Sequence, residues 1–294
     1  MIDLIYKQYK AELSRSIADS LRTGRARPEN EESFRAFVPL WTLIKGLEDA
    51  SSAINPTKAM VMSYLRENND LEGFLKVSRD HHVERNFGVA LQGAHRALNF
   101  VSYFDELVSD SLLFVNSFHL NNYRGCMIAL RCMLEDLYRH LYYKDNRESF
   151  IRVHELGESE HELKLTPAVF RTYLDKASYL ALLHKLNWNY SFSGKNIKGI
   201  MKLNGELYAR TSAYVHGSSP ATLNGFSSNL EFVFDVLKAK NILEIANCLN
   251  EMSVAFLCNA HLDQFSRLNE ATKRIVFDAF DGTRRGEFRR AIRV

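Results

Sequence analysis

The stretch YRGCMIALRCMLEDLYRHLYYKD, residues 123–145, decides the fold class. Met127, Leu130, Leu134, Leu137 and Leu141 recur at steps of three and four, the spacing that puts side chains on one side of an α-helix. A strand would need alternation at every second residue, and none is present. The stretch therefore predicts a long helix with a single core-facing stripe.

The same pattern extends in both directions. The chain of 294 residues holds only 5 prolines and 14 glycines, so long segments carry no helix breaker. Ile5, Tyr9, Leu13 and Ile17 predict a helix over 2–22, and the polar segment 23–33 predicts a loop. Further helices are expected at about 35–50, despite Pro39, and at 57–75, where Pro56 suits a first turn. Between 76 and 121, apolar residues from Phe87 to Val115 return at helical intervals. Toward the C-terminus, helices are expected at about 167–187, 197–216, 229–266 and 269–281. Loops are expected at 152–166, at SFSGKN (191–196) and at GSSPATLNGFSS (217–228). The fold expectation is an all-α bundle. Its segments are an N-terminal helical region (1–94), a helical core (95–266), and a C-terminal helix with a basic tail (267–294).

A net charge of +3 and a pI near 8.6 are mildly basic and do not by themselves mark a nucleic-acid binder. Cys126, Cys132, Cys248 and Cys258 form no CxxC pair and lie in apolar helical stretches, as expected of a reduced, cytoplasmic protein. No apolar run is long enough to span a bilayer, and the N-terminus lacks the pattern of a signal peptide. No phosphate-cradling glycine loop, GxSxG or Cys–His signature appears. His81-His82-Val83-Glu84 and His154-Glu155 with His161 lack the converging ligand sets that a metal needs. No metal or cofactor is expected.

The chemistry is expected in Arg210-Thr211-Ser212-Ala213-Tyr214-Val215-His216, which precedes Gly217. Arginine is a permanent planar cation that grips phosphate, and histidine exchanges protons near neutral pH. Six residues turn an ideal helix by about 240°, so Arg210 and His216 do not share a face of one straight helix. Gly217 suits a helix C-terminus, and a C-terminal position favours a protonated imidazole. The bland reading is a surface arginine and a capping histidine. Tyr214 between them reads as a packed aromatic or as a hydroxyl that positions substrate. On the helix at 123–145, Arg131 and Glu135 stand four apart and can pair on one face. That face is either a salt-bridged surface or a polar cluster turned toward the motif helix.

Together these residues resemble a HEPN domain, a helical bundle of many prokaryotic toxins, defence proteins and CRISPR-associated ribonucleases. Its signature is Arg, four to six residues, then His, which Arg210 and His216 match with five between. RGCMIALRCMLEDLYRHLYYKD is similar to the earlier HEPN helix that turns a polar residue, here Glu135 or Arg131, to the active site. The resemblance covers about 95–266. Many members carry Asn, Asp or His directly after the Arg, where this chain has Thr211. The resemblance implies metal-independent cleavage of RNA through 2′-hydroxyl attack. His216 would be the acid or base, Arg210 the charge stabiliser and Glu135 the orienting carboxylate, with Arg131, Thr211 and Tyr214 holding substrate. It also implies a homodimer with a shared cleft, and an antitoxin or defence partner. The alternative is a non-catalytic helical module that docks a protein or RNA.

Overall fold

A computed structural model of the protein describes residues 27–54, 103–154, 157–186, 188–192, 194–215 and 234–292. Pro28 opens helix α1 (Pro28–Arg35), with Glu29 and Glu31 in its first turn. This helix occupies the end of the segment whose polarity predicts a loop. A proline at the first position and acids beside the N-terminal dipole favour a helix there. Helix α2 (Val38–Ile54) follows, with Pro39 tolerated in its first turn. Helix α3 (103–119) buries Phe104, Leu107, Phe114 and Phe118. The stretch that decides the fold forms α4 (Tyr123–Asp145), and Met127, Leu130, Leu134, Leu137 and Leu141 are all fully buried. Asn122 caps it, accepting from the Gly125 backbone N–H at 2.9 Å. A Cβ at Gly125 would stand 2.6 Å from the Asn122 amide, so the cap requires glycine there.

Beyond α4 come α5 (Arg147–His154), α6 (Pro167–Leu174) and α7 (Ala181–Lys185), with a 3₁₀ turn at Ser178–Leu180. The single helix expected over 167–187 is thus three short pieces. The segment expected as a loop at 191–196 lies within an antiparallel hairpin, β1 (Asn189–Phe192) and β2 (Lys195–Lys198). Gly194, at φ 74°, turns it. Tyr190, Phe192 and Ile197 bury their side chains, which gives the hairpin an apolar face to pack. Helix α8 (Ile200–Val215) carries the motif arginine. Helix α9 (Val236–Ala260), capped by Asp235, is buried along most of its length and ends at His261, ahead of α10 (Leu262–Ser266). Helices α11 (Glu270–Phe277) and α12 (Gly282–Ile292) complete the described chain. The basic tail is therefore mostly a packed helix: Phe288 and Ile292 are buried, and Arg284 holds Glu251.

Helix α4 packs against α6, α8 and α9, and α2 packs against α9 and α11. Apolar residues of α2, α4, α8, α9 and α12 share one core cluster, so the described parts of all three sequence segments pack together. Among the described residues the fold is all-α with one small hairpin. Among the described residues, no helix is long and apolar enough to cross a membrane. The expected helices at 2–22 and 57–75, and the boundary near 94, lie outside the described residues.

The core encloses a histidine pair. His140 Nε2 and His261 Nε2 are 2.8 Å apart, both rings are buried, and His140 stacks on Phe104. Two N–H groups cannot face each other at that distance, so at least one ring is neutral. Burial pushes the His140 pKa down to about 3 and lowers His261 well below its ordinary value. A depressed pKa gives stability that is present above pH 6.5 and lost as pH falls. Burial also raises Asp110 and Glu251 to about 7, and such carboxyls act in the opposite sense, losing stability as pH rises toward 7. Each histidine that takes up a proton only on unfolding costs about 1.4 kcal/mol per pH unit. Urea midpoints at pH 6 and pH 5 should therefore fall more steeply for the native chain than for the double variant His140→Phe, His261→Leu. Parallel profiles would show that the pair does not carry the acid sensitivity.

Candidate functional site

On α8, Leu203, Asn204, Leu207 and Thr211 are buried and define the inner stripe. Helical periodicity puts Tyr208 and Ser212 on one flank of that stripe and Arg210 with Tyr214 on the other. The distances follow this division. The Arg131 guanidinium reaches from α4 to the first flank. Its Nη1 donates to Ser212 Oγ at 2.6 Å and to the Tyr208 carbonyl at 3.4 Å, and its Cζ lies 3.5 Å from the centre of the Tyr208 ring. Its Nε donates to Glu135 Oε1 at 2.7 Å. Nearby, Tyr138 donates to Asn204 at 2.5 Å. These bonds form a polar seam between α4 and α8.

Glu135 is committed to this seam. It holds Arg131 and stands 3.8 Å from Arg139. Arg139 also binds Glu160 at 3.0 Å and Asp136 at 3.1 Å. Of the two groups that Glu135 is expected to orient, Arg210 needs correction: the partners of Glu135 are on its own helix and Arg210 lies on the far flank of α8, while His216 lies outside the described residues. Arg131, expected to hold substrate, is buried with its charge matched by Glu135. Thr211 is also corrected. It is 1% exposed, and its hydroxyl donates to the Leu207 and Tyr208 carbonyls of its own helix. Replacing Thr211 by the isosteric valine should change stability by about 1 kcal/mol or less, because one local bond is lost. Urea unfolding reads this.

Arg210 differs from these residues. It is half-buried, with its guanidinium 5.4 Å from the centre of the Phe192 ring in the hairpin. No carboxylate pairs with it among the described residues. Arg124 and Arg171 are also half-buried and have no such partner among the described residues. Arg171 lies over the Tyr208 ring at 4.6 Å. Burying part of a cation without a counter-ion costs stability, and stacking on an aromatic ring offsets only some of it. Such guanidiniums keep donors open to an anion. Tyr214 is partly buried against the core, on the same side of α8 as Arg210. His216 lies outside the described residues.

The sequence reading missed Tyr208, Ser212, Phe192 and Arg171. Tyr208 and Ser212 stand four apart, and that spacing was the available signal for a partner on one face. Nothing local marks Phe192 as a support for Arg210. Among the described residues, no cluster of three or more His, Cys, Asp or Glu side chains is placed to hold a metal. His154, expected in a loop, ends α5 and meets the Tyr103 hydroxyl at 3.0 Å. The chain matches no protein-family model, no curated protein and no solved structure.

Proposed function

We propose that this chain is a metal-independent endoribonuclease of HEPN-like type. The reading rests on Arg210, a half-buried guanidinium held over Phe192 with no carboxylate partner among the described residues. A phosphate is the natural counter-ion for such a group. In this proposal the RNA 2′-hydroxyl attacks the adjacent phosphorus, and the bond to the 5′-oxygen breaks. The products are a 2′,3′-cyclic phosphate and a 5′-hydroxyl. His216 takes the hydroxyl proton or supplies one to the leaving oxygen, and Arg210 offsets charge on the phosphorane-like transition state.

The roles differ from those implied by resemblance alone. Arg131 and Glu135 act as a brace that docks α8 on α4, and they touch no substrate. Tyr214 shares the Arg210 side of α8 and packs against the core, and in this proposal its hydroxyl positions RNA. Two chains would bring their motifs to one cleft, and a toxin or anti-phage effector held by a partner protein is the corresponding biological role.

A second reading is a module that binds RNA without cutting it. It is favoured by the internal satisfaction of Glu135 and Thr211. Incubating the purified chain with structured RNA in EDTA separates the two. Fragments ending in cyclic phosphate support the nuclease. Retarded but intact RNA supports the binding module, and neither binding nor cleavage contradicts both.

A further inference from the structure

Away from the motif helix, α1, α9 and the turn into α12 enclose an open cleft of about 620 Å³. That volume is in the range of small-molecule sites. Asn250 of α9 lines it and is 3% exposed, and its buried Oδ1 has no hydrogen-bond partner among the described residues. A buried amide oxygen left unpaired costs free energy, and native structures rarely keep one without use. Beside it, Glu251 is 4% exposed and held by Arg284 at 2.6 and 2.9 Å. Arg284 is fixed in turn by the Asn189 carbonyl at 3.0 Å and lies 4.8 Å from the centre of the Tyr190 ring. The Tyr190 hydroxyl is buried and also lacks a partner. The Glu251–Arg284 pair in the cleft wall is thus already neutralised, while the Asn250 Oδ1 beside it is unused among the described residues.

We propose that this cleft binds a small unphosphorylated molecule carrying an amide-like edge, a donor beside an acceptor, as in a nucleobase or a carboxamide. An asparagine amide meets such an edge with two parallel hydrogen bonds. Leu243, Ala279 and Phe280 supply apolar lining for a flat ring. The charges argue against phosphate. Glu32, Glu244, Glu251, Asp278 and Asp281 line the cleft against Arg35, Lys240 and Arg284, so carboxylates outnumber cations there. The inference is independent of the nuclease proposal, since none of these residues belongs to the motif helix.

The test is thermal unfolding of the full chain with adenosine, guanosine, cytidine, uridine or nicotinamide, and with the matching nucleoside monophosphates. At least one of the five neutral compounds should raise the Tm by about 2 to 4 °C at about tenfold its Kd. Its monophosphate, where one exists, should bind more weakly. Adenosine-type and nicotinamide-type responses tell a heterocyclic edge from a carboxamide. Asn250→Leu should abolish the shift while leaving the ligand-free Tm equal or higher, because it removes an unpaired polar group. If that variant does not fold, the isosteric Asn250→Asp, which loses the donor, should weaken the same compound at least about tenfold. No shift with any of the five, or an equal shift in the Asn250 variant, overturns the proposal.

Discussion

Replacing Arg131 by alanine should destabilise the protein by about 3 kcal/mol, the lower end of what breaking a buried ion pair costs. The side chain is 8% exposed and satisfies three groups at once: Glu135, Ser212 and the Tyr208 carbonyl. Truncation strands the Glu135 carboxylate against the helix and leaves a void beneath the Tyr208 ring. The loss stays near the lower end because Glu135 is 24% exposed and retains Arg139 at 3.8 Å. Lysine at 131 keeps the charge without the planar fork, so Arg131→Lys should fall between the native chain and the alanine variant. A shift of the urea midpoint at unchanged m-value measures this. A cost under about 1 kcal/mol would mean that the guanidinium does not hold α4 to α8, and the brace assignment would fail.

That brace also explains why the sequence points to the right helices and to some wrong roles. The stripe from Met127 to Leu141 is readable because burial of one helix face needs only local spacing. The pairing of Arg131 with Glu135 is readable for the same reason. The residues that receive Arg131 sit on another helix, and local spacing carries no information about which flank of α8 faces α4. Breaks at Ala177 and His261 were not legible because neither position carries proline or glycine. His261 instead turns inward to meet His140, a long-range contact. The hairpin at 189–198 was hidden because its strands are four residues each, too short for alternation to stand out against the neighbouring helices. Helix α1 was hidden because its sequence, PENEESFR, is polar on most sides.

The functional assignment depends on Arg210 and His216. Arg210 is a cation with no internal carboxylate partner among the described residues, and it is anchored on Phe192. Under the proposed function, its removal should therefore leave the fold intact while removing transition-state charge stabilisation. Loss of one such donor costs about 10²- to 10³-fold in rate. Removing a general acid or base costs about 10²- to 10⁴-fold. Far-UV circular dichroism and urea midpoints close to those of the native chain should accompany both variants, in contrast to Arg131→Ala. Glu135→Gln should affect stability more than rate, because Glu135 serves the brace.

The most direct test of the central claim is single-turnover RNA cleavage in EDTA by the native chain, Arg210→Ala and His216→Ala, with product ends identified by mass spectrometry. The account predicts 2′,3′-cyclic phosphate ends from the native chain and at least about 100-fold slower cleavage by each folded variant. Cleavage at the native rate in both variants, or no cleavage by the native chain at enzyme excess, would contradict it.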